Sequence, residues 1–568
     1  MRISRRKFVA LASAAGPLWA ARGLLGQGLP MRASAAVPIP QFLDVTAKSG
    51  IHYQHSFGEK ELSSLMEGTG SGCAWLDYNN DGLLDLYVAN GRYIPGLTNH
   101  SSPDGIDATN HLYRNNGDGT FTDVTHEAGV AGKGMATGVT VGDFDNDGYP
   151  DIYVTGYQSS ILYHNNGDGT FTDVTADAGV ENPYFGVGAA FLDYDRDGHL
   201  DLFVGNYIRF VNSYRQYYPG DHYPGPLDYD PEFNRLFHNN GDGTFTDVSH
   251  DSGIAAAPGR AMGVTVLDYD NDGWPDIYVA NDTMASFLYH NNHNGTFTNV
   301  AVDAYVAYGQ NGEATTAMGP IFADYDNDGW QDLFVSDARF HRLYHNSGKG
   351  YFSDVTNEAG IGEISGQYVG WGDGFVDFDN DGWRDLFIVN GGLAWLIPME
   401  SALLRNNGNR TFSDVSAQAG SFFEQQHVSR CAAFADYDND GYIDAFVTTL
   451  GSKGILLHNT PAEGKRNHWL TVKLVGTVSN RDGYGASLKA VAGDLHQYVQ
   501  AGSESGYLSQ SDPRPHFGLG QHAVVDELTI RWPSGIVQKL EHIKADQILI
   551  VKEPAAAHQP TESVKKDK

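Results

Sequence analysis

The sequence predicts an all-β protein: a seven-bladed β-propeller closed by its own N-terminal strand, followed by a small β-sandwich-like C-terminal domain. Three observations predict this. An acidic nonapeptide recurs seven times along the chain. Each copy leads into a short apolar run, and six of the seven then reach a hairpin phrase such as "LYHNNGDGTFTDVT" (residues 162–175). The last unit lacks the final strand of that phrase, and a close match to it stands at the front of the chain.

The acidic stretch reads D-x-[DN]-x-D-G-x-x-D and occupies residues 77–85, 143–151, 193–201, 268–276, 324–332, 377–385 and 436–444, with starts 50 to 75 residues apart. Repetition on this scale marks an architecture of stacked or radial units. Runs such as "DIYVTG" and "DLFVSD" follow it, and relatives of the hairpin phrase begin at Leu112, Leu236, Leu288, Leu343 and Leu403. Asn-Gly and Asp-Gly between β-formers are tight-turn signals. One unit therefore reads strand, acidic loop, strand, connection, strand, tight turn, strand, which is a propeller blade.

The seventh unit stops at "ILLHN" (455–459). The segment "QFLDVTAKSGI" (41–51) matches "TFTDVTADAGV" (170–180) and supplies the missing strand. Pairing the first strand with the last unit leaves no ragged sheet edge. The propeller is placed at residues 41–459.

The loop chemistry points to calcium. Calcium takes six to eight hard oxygen ligands in flexible geometry, and oxygens at alternate positions of a tight loop converge on one point. The glycine at position 6 permits the sharp turn, position 7 offers its carbonyl, and an aspartate at position 9 replaces the distal glutamate of a helix-based calcium loop. The expected ligands are Asp77, Asn79, Asp81, Leu83 and Asp85 in loop 1, and Asp143, Asp145, Asp147, Tyr149 and Asp151 in loop 2. Loop 3 offers Asp193, Asp195, Asp197, His199 and Asp201, and loop 4 Asp268, Asp270, Asp272, Trp274 and Asp276. Loop 5 offers Asp324, Asp326, Asp328, Trp330 and Asp332, loop 6 Asp377, Asp379, Asp381, Trp383 and Asp385, and loop 7 Asp436, Asp438, Asp440, Tyr442 and Asp444. Asn79 makes loop 1 the weakest, and Arg196, at position 4 of loop 3, is expected to point outward. About seven structural ions follow from this reading. Solvated turns are the plain alternative, since Asp, Asn and Gly are ordinary turn residues.

Composition narrows the function. The chain has 568 residues and a net charge of −33, which opposes binding to nucleic acid. No apolar run is long enough to span a membrane. Ser4-Arg5-Arg6-Lys7-Phe8, the apolar stretch to Ala21 and "ASA" at 33–35 resemble a twin-arginine export signal over residues 1–35. The expected location is periplasmic or extracellular. Cys73 and Cys431 are too few for a disulfide scaffold, and their pairing is left open.

The repeats look like the FG-GAP or VCBS-type repeats of integrin α-chain propellers. Residues 467–493 ("NHWLTVKLVGTVSNRDGYGASLKAVAG"), 506–520 ("GYLSQSDPRPHFGLG") and 528–540 ("LTIRWPSGIVQKL") resemble the ASPIC/UnbV domain. The order of the two resembles the cartilage acidic protein family. That resemblance implies extracellular calcium binding and adhesion or matrix-like interaction, with no settled enzymatic activity. The second domain is placed at 460–552 and a disordered tail at 553–568. Arg481 and Asp482, in a turn-rich loop, either pair with each other or bind a ligand.

No catalytic motif stands out, and the reading is non-enzymatic; a lectin or carbohydrate-active enzyme is the alternative. "GTGSG" (68–72) precedes a strand and not a helix pattern, and His52 and His55 read as structural histidines. Three insertions follow the same strand of their units, at 90–110, 206–230 and 390–400. The second is rich in tyrosine. Tyr214, Tyr217, Tyr218 and Tyr223 are the candidate contacts for an unknown protein or glycan ligand, because tyrosine offers a flat apolar ring and a hydroxyl.

Overall fold

The computed structural model describes residues 39–57, 62, 64–92, 94, 108–217, 223–393, 396–462, 464, 466–502 and 506–555, with the side chains of 215–217 excepted. The leader at 1–35 and Tyr218 lie outside the described residues. The described chain is all-β apart from short helical turns. Up to residue 460 it is built of antiparallel four-stranded groups, all but the last a meander in chain order.

The first group is Cys73–Leu76, Asp85–Val88, His111–Asn115 and Phe121–Asp123. The first strands of the following groups are Ala136–Gly142, Gly186–Leu192, Ala261–Leu267, Thr315–Ala323, Gly370–Val376 and Ser429–Ala435. The fourth and fifth groups join into one eight-stranded sheet through Asp282↔Thr316. In the last group the outer strand is Gln41–Asp44, which pairs antiparallel with Ile455–Thr460 from Gln41↔Thr460 to Asp44↔Leu457. The N-terminal segment thus does what its sequence match to the "TFTDVT" strand implies.

Each acidic loop is the turn between the first and second strands of its group. Position 1 follows the last residue of the first strand, and position 9 is the first residue of the second. The aromatic residue at position 2 crosses to the next group and packs on the phenylalanine of its outer strand. Tyr78 meets Phe171 at 6.1 Å, Phe144 meets Phe245 at 5.6 Å and Tyr194 meets Phe297 at 5.8 Å. Tyr269 to Phe352, Tyr325 to Phe412 and Phe378 to Phe42 continue the series, and Tyr437 meets Phe121 of the first group at 5.6 Å. Phe42 takes the role in the last group that Phe171 takes in the second. Offset and edge-on ring pairs of this kind contribute about 0.5–1.5 kcal/mol each beyond their buried area.

The C-terminal domain has two sheets over one core. His468–Val475 lies between His516–Gly520, antiparallel, and Gln547–Lys552, parallel. The other sheet runs Leu495–Gln500, Ser487–Ala492, Val524–Arg531, Val537–Lys544. Alternating apolar residues such as Leu470, Val472, Leu488, Leu528, Ile530 and Trp532 close on each other between them. The tail does not begin at residue 553. Glu553 is buried, and its carboxylate accepts the backbone N–H groups of Thr477, Val478 and Ser479 at 2.8–2.9 Å.

Candidate functional site

Loop 2 shows how the backbone builds one acidic cage. Asp143 accepts the N–H of Asp147 on Oδ1 at 3.0 Å and that of Gly148 on Oδ2 at 2.7 Å. Asp147 Oδ1 accepts the Tyr149 N–H at 2.8 Å. Asp151 accepts the N–H of Phe144 at 3.1 Å and of Asn165, on the third strand, at 2.7 Å. The amides fix the carboxylates and leave lone pairs free. The position-1 to position-6 bond recurs in all seven loops. Position 4 is left-handed throughout, with φ of 56–62° at Asn80, Asn146, Arg196, Asn271, Asn327, Asn380 and Asn439. Asparagine tolerates that conformation, which explains its recurrence there.

Burial and crowding act against so many acids. Burial is the main cause lifting Asp151, Asp332 and Asp444 to about 7 and Asp85 and Asp201 to about 8, and neighbouring acids add to it. In five loops a histidine from the third strand faces the acids. His164, His238, His290, His345 and His458 lie 2.9–3.3 Å from the position-9 aspartate and 3.4–3.6 Å from the position-3 aspartate. The hydrogen bond to Asp201 lifts His238 to about 9, and that to Asp444 does the same for His458. Groups such as Asp145, Asp147 and His164, or Asp326, Asp332 and His345, could hold a metal ion. Sequence reasoning missed these histidines, although the same place in five of the seven units is histidine, as in "LYHNN" (162–166).

The donor set fits a hard divalent cation. Asp195 Oδ1, Asp270 Oδ1 and Asp326 Oδ1 are buried without a hydrogen-bond partner among the described residues. A buried acceptor left so costs about 1–3 kcal/mol, which a coordinated cation would offset. Loop 6 differs. Its third-strand residue is Arg405, whose Nε lies 3.0 Å from Asp379 Oδ2 and whose Nη2 pairs with Asp381. The guanidinium competes with a cation for these two acids, as Arg410 does in loop 5, where its Nε lies 2.7 Å from Asp326 Oδ2 and its Nη2 3.3 Å from Asp328 Oδ2. Asp379 Oδ1 stays without a partner among the described residues, like its counterparts in loops 3, 4 and 5.

The C-terminal domain packs across the loops. Asp143 donates its N–H to Asp482 Oδ2 at 2.8 Å, and the Arg481 N–H goes to Asn146 Oδ1 at 2.7 Å. These two residues therefore dock on loop 2 through separate contacts. Asp268 exchanges hydrogen bonds with the Gln500 side chain, and His516 Nε2 meets Asn380 Oδ1 at 2.7 Å. Arg196 leaves its cage as expected, but it does not reach open solvent. Its Nε donates to the Pro533 carbonyl at 2.7 Å and its guanidinium lies 5.1 Å from the Trp274 ring centre.

One segment of this domain goes deeper. Tyr507, Leu508, Ser509 and Gln510 are fully or almost fully buried among the first strands. Tyr507 and Leu508 share one apolar cluster with Met135, Val187, Met262, Met318, Trp371 and Cys431, which come from six different groups. Gly72 must be glycine, since a Cβ there would stand 1.8 Å from the Leu508 carbonyl. Ser509 hydrogen-bonds the Cys73 backbone at 3.1 Å and lies 3.7 Å from its thiol, and it also bonds the Cys431 side chain. Both cysteines are free thiols.

The FG-GAP-like repeat family matches residues 77–154, 143–204, 225–279, 268–335, 324–388 and 377–447, and ASPIC and UnbV matches 476–558. The chain belongs to the FG-GAP-like repeat family. Cartilage acidic protein 1 from Homo sapiens is 26% identical over 326 residues, covering 54% of this chain and 46% of that protein. Its Mus musculus counterpart is 26% identical over 350 residues, covering 58% and 50%. This FG-GAP-like protein spans about half the length of these curated relatives. An Agrocybe aegerita lectin that recognises non-reducing terminal N-acetylglucosamine aligns with a TM-score of 0.39 and 17% identity, covering 67% of this chain and 86% of the lectin. A score that low carries no argument.

The tyrosine-rich insertion of this FG-GAP-like chain divides in two. Tyr214 stacks on Tyr229 at 5.5 Å and joins the central apolar cluster, so it serves packing. Only the backbone of Tyr217 is described, within a short helical turn. Tyr223 lines a cavity of about 530 Å³ with Tyr207, Trp371 and Leu393, bringing the 206–230 and 390–400 insertions together. His55 is buried; desolvation lowers it to about 3, and its Nδ1 accepts the Gly451 N–H. No helix among the described residues is long and apolar enough to cross a membrane.

Proposed function

We propose that this protein is an exported, calcium-stabilised, non-catalytic binding scaffold: a seven-bladed propeller closed by its N-terminal strand. The recurring cage carries the reading. Fixed carboxylates at positions 1, 3, 5 and 9 of one tight turn form an oxygen-rich set that calcium suits better than magnesium, which keeps its waters and demands stricter geometry. Closure is supported by pairing of Gln41–Asp44 with Ile455–Thr460 and by the Tyr437–Phe121 contact.

The ligand is assigned to the cavity bearing Tyr223, where two insertions meet. The human relative is named for cartilage and for its acidity; an acidic, extracellular binding protein is the part of that description proposed for this chain. An adhesion partner, protein or glycan, is the expected class. Melting with and without chelator tests the scaffold. EDTA should lower the unfolding temperature by many degrees, because an ion bound only by the native state stabilises it. An unchanged curve would sink the calcium reading. Tyr223→Ala tests the ligand assignment: binding should weaken while the calcium-dependent part of the melting curve remains.

A further inference from the structure

The cavity bearing Tyr223 has a chemistry of its own. Leu65, Met262, Met318 and Leu393 give it aliphatic and thioether walls, and Tyr207, Tyr223 and Trp371 add aromatic rings. The polar lining is Thr69, Asp228, Asp282, Thr283, Thr316 and Arg339, so two carboxylates stand against one guanidinium. At Asp282 the second strand of the fourth group is bulged, pairing Asp282↔Thr316 and Met284↔Thr315 with Thr283 between them. Thr283 has φ of 55°. A β-branched residue in the left-handed region is strained, and such strain and bulges gather where a side chain must be re-aimed for function.

Asp282 is 3% exposed. Its Oδ2 accepts the Tyr207 hydroxyl at 2.6 Å. Its Oδ1, like the Thr283 hydroxyl, has no partner among the described residues. The charged groups acting on it are Arg260 and Asp337, and Asp228 and Arg339 line the same cavity. Arg260 gives its Nη2 to the Tyr229 carbonyl at 3.0 Å, and Asp337 is taken up by the backbone N–H groups of Thr316, Arg339 and Phe340. Burial raises Asp282 and the Tyr207 bond restrains it, leaving it at about 6 and so ionised at neutral pH.

We infer that this cavity binds an organic cation, an apolar body carrying an ammonium group that meets Asp282. This rests on the reading of the cavity as the ligand site. A buried carboxylate with an open acceptor calls for a cationic donor. Aromatic rings attract ammonium groups, and the volume suits a small molecule or a single extended side chain.

The test is calorimetric titration of the calcium-loaded full chain with phenethylamine and benzyltrimethylammonium, against benzyl alcohol and N-acetylglucosamine. The two cations should bind and the neutral probes should not. Asp282→Asn should weaken the cations by about tenfold or more with the calcium-loaded melting temperature kept. Should that variant fail to fold, Leu393→Trp at the partly exposed cavity wall should block the same probes. Preference for the sugar, undiminished binding by Asp282→Asn, or no binding of any cation overturns the inference. A protein that melts in a calcium-dependent way yet binds no amine refutes this inference alone, whereas indifference to EDTA refutes the calcium scaffold alone.

Discussion

The side-chain amide of Asn439, in the last acidic loop, donates to the carbonyl of Gly82, in the first, at 3.1 Å. The same bond runs from Asn80 to Gly148, Asn146 to Gly198, Asn271 to Gly329, Asn327 to Gly382 and Asn380 to Gly441. Arg196 alone departs from it, its Nε turning to Pro533. A second series runs the other way. The third-strand asparagine of each group donates to the position-2 carbonyl of the group before, and Asn115 gives its amide to Tyr437 at 2.8 Å.

If the first and last groups form a seam like any other, Asn115→Ala and Asn165→Ala should destabilise equally. Each removes a buried amide that bridges two carbonyls, Leu84 and Tyr437 in one case, Tyr78 and Pro150 in the other. The expected loss is about 1–3 kcal/mol per orphaned group, read from chemical denaturation in calcium. A markedly smaller loss at Asn115 would mean that the first and last groups part easily.

Chelation should also change how stability depends on pH. Asp151, with a pKa raised from 3.8 to about 7, holds a proton across that interval that the unfolded chain has already released. Its contribution to the ion-free fold is complete below the unfolded pKa and is lost as pH rises through the folded one. His238, raised from 6.5 to about 9, acts in the same direction over the higher window. In EDTA the melting temperature should therefore fall as pH rises from about 5 to 8. In calcium it should hold or rise, because the ion needs deprotonated carboxylates. Parallel curves in the two buffers would show that the acids do not meet an ion.

Much of this was legible in the residues. The period of the acidic turn, the glycine at its centre and the transposed "FLDVT" strand sufficed for the repeat and the N-terminal pairing, because turn chemistry and strand patterning are local. What escaped was what one group does to another. The asparagine at position 4 reads as a turn residue in any one copy, and its bond to the next loop exists only once two loops are adjacent. Tyr214 reads as a surface aromatic but packs on Tyr229. "GYLSQ" reads as part of a β-domain phrase, and nothing local says that it enters the centre of another domain.

Loop 6 should gain an ion when its arginine is replaced. Arg405 pairs with Asp379 and Asp381, the acids at positions 3 and 5. Arg405→His would recreate the histidine arrangement of loops 2, 3, 4, 5 and 7. Bound calcium, measured by mass spectrometry after equilibrium dialysis, should rise by about one ion per chain. An unchanged count would mean that the guanidinium already swings aside for the ion.

The buried segment should make the two domains unfold as one. Gln510 Oε1 accepts the Thr140 hydroxyl at 2.9 Å and the Val141 N–H at 2.7 Å, while its Nε2 donates to the Val141 carbonyl at 3.2 Å. Its backbone N–H goes to Cys73 and its carbonyl takes the Trp75 N–H, so the segment runs beside a first strand as an added piece of ladder. Withdrawing it would strand these groups and empty an apolar cluster shared by six repeat groups. Calorimetry in calcium should therefore show a single cooperative transition. Gln510→Leu, close in volume and unable to hydrogen-bond, should lower its midpoint, with about 1–3 kcal/mol lost for each group left unpaired. Should that substitution split the transition in two, with the C-terminal domain melting first, Gln510 would be the lock between the domains. Two transitions already in the unaltered chain would mean that the segment merely rests in place.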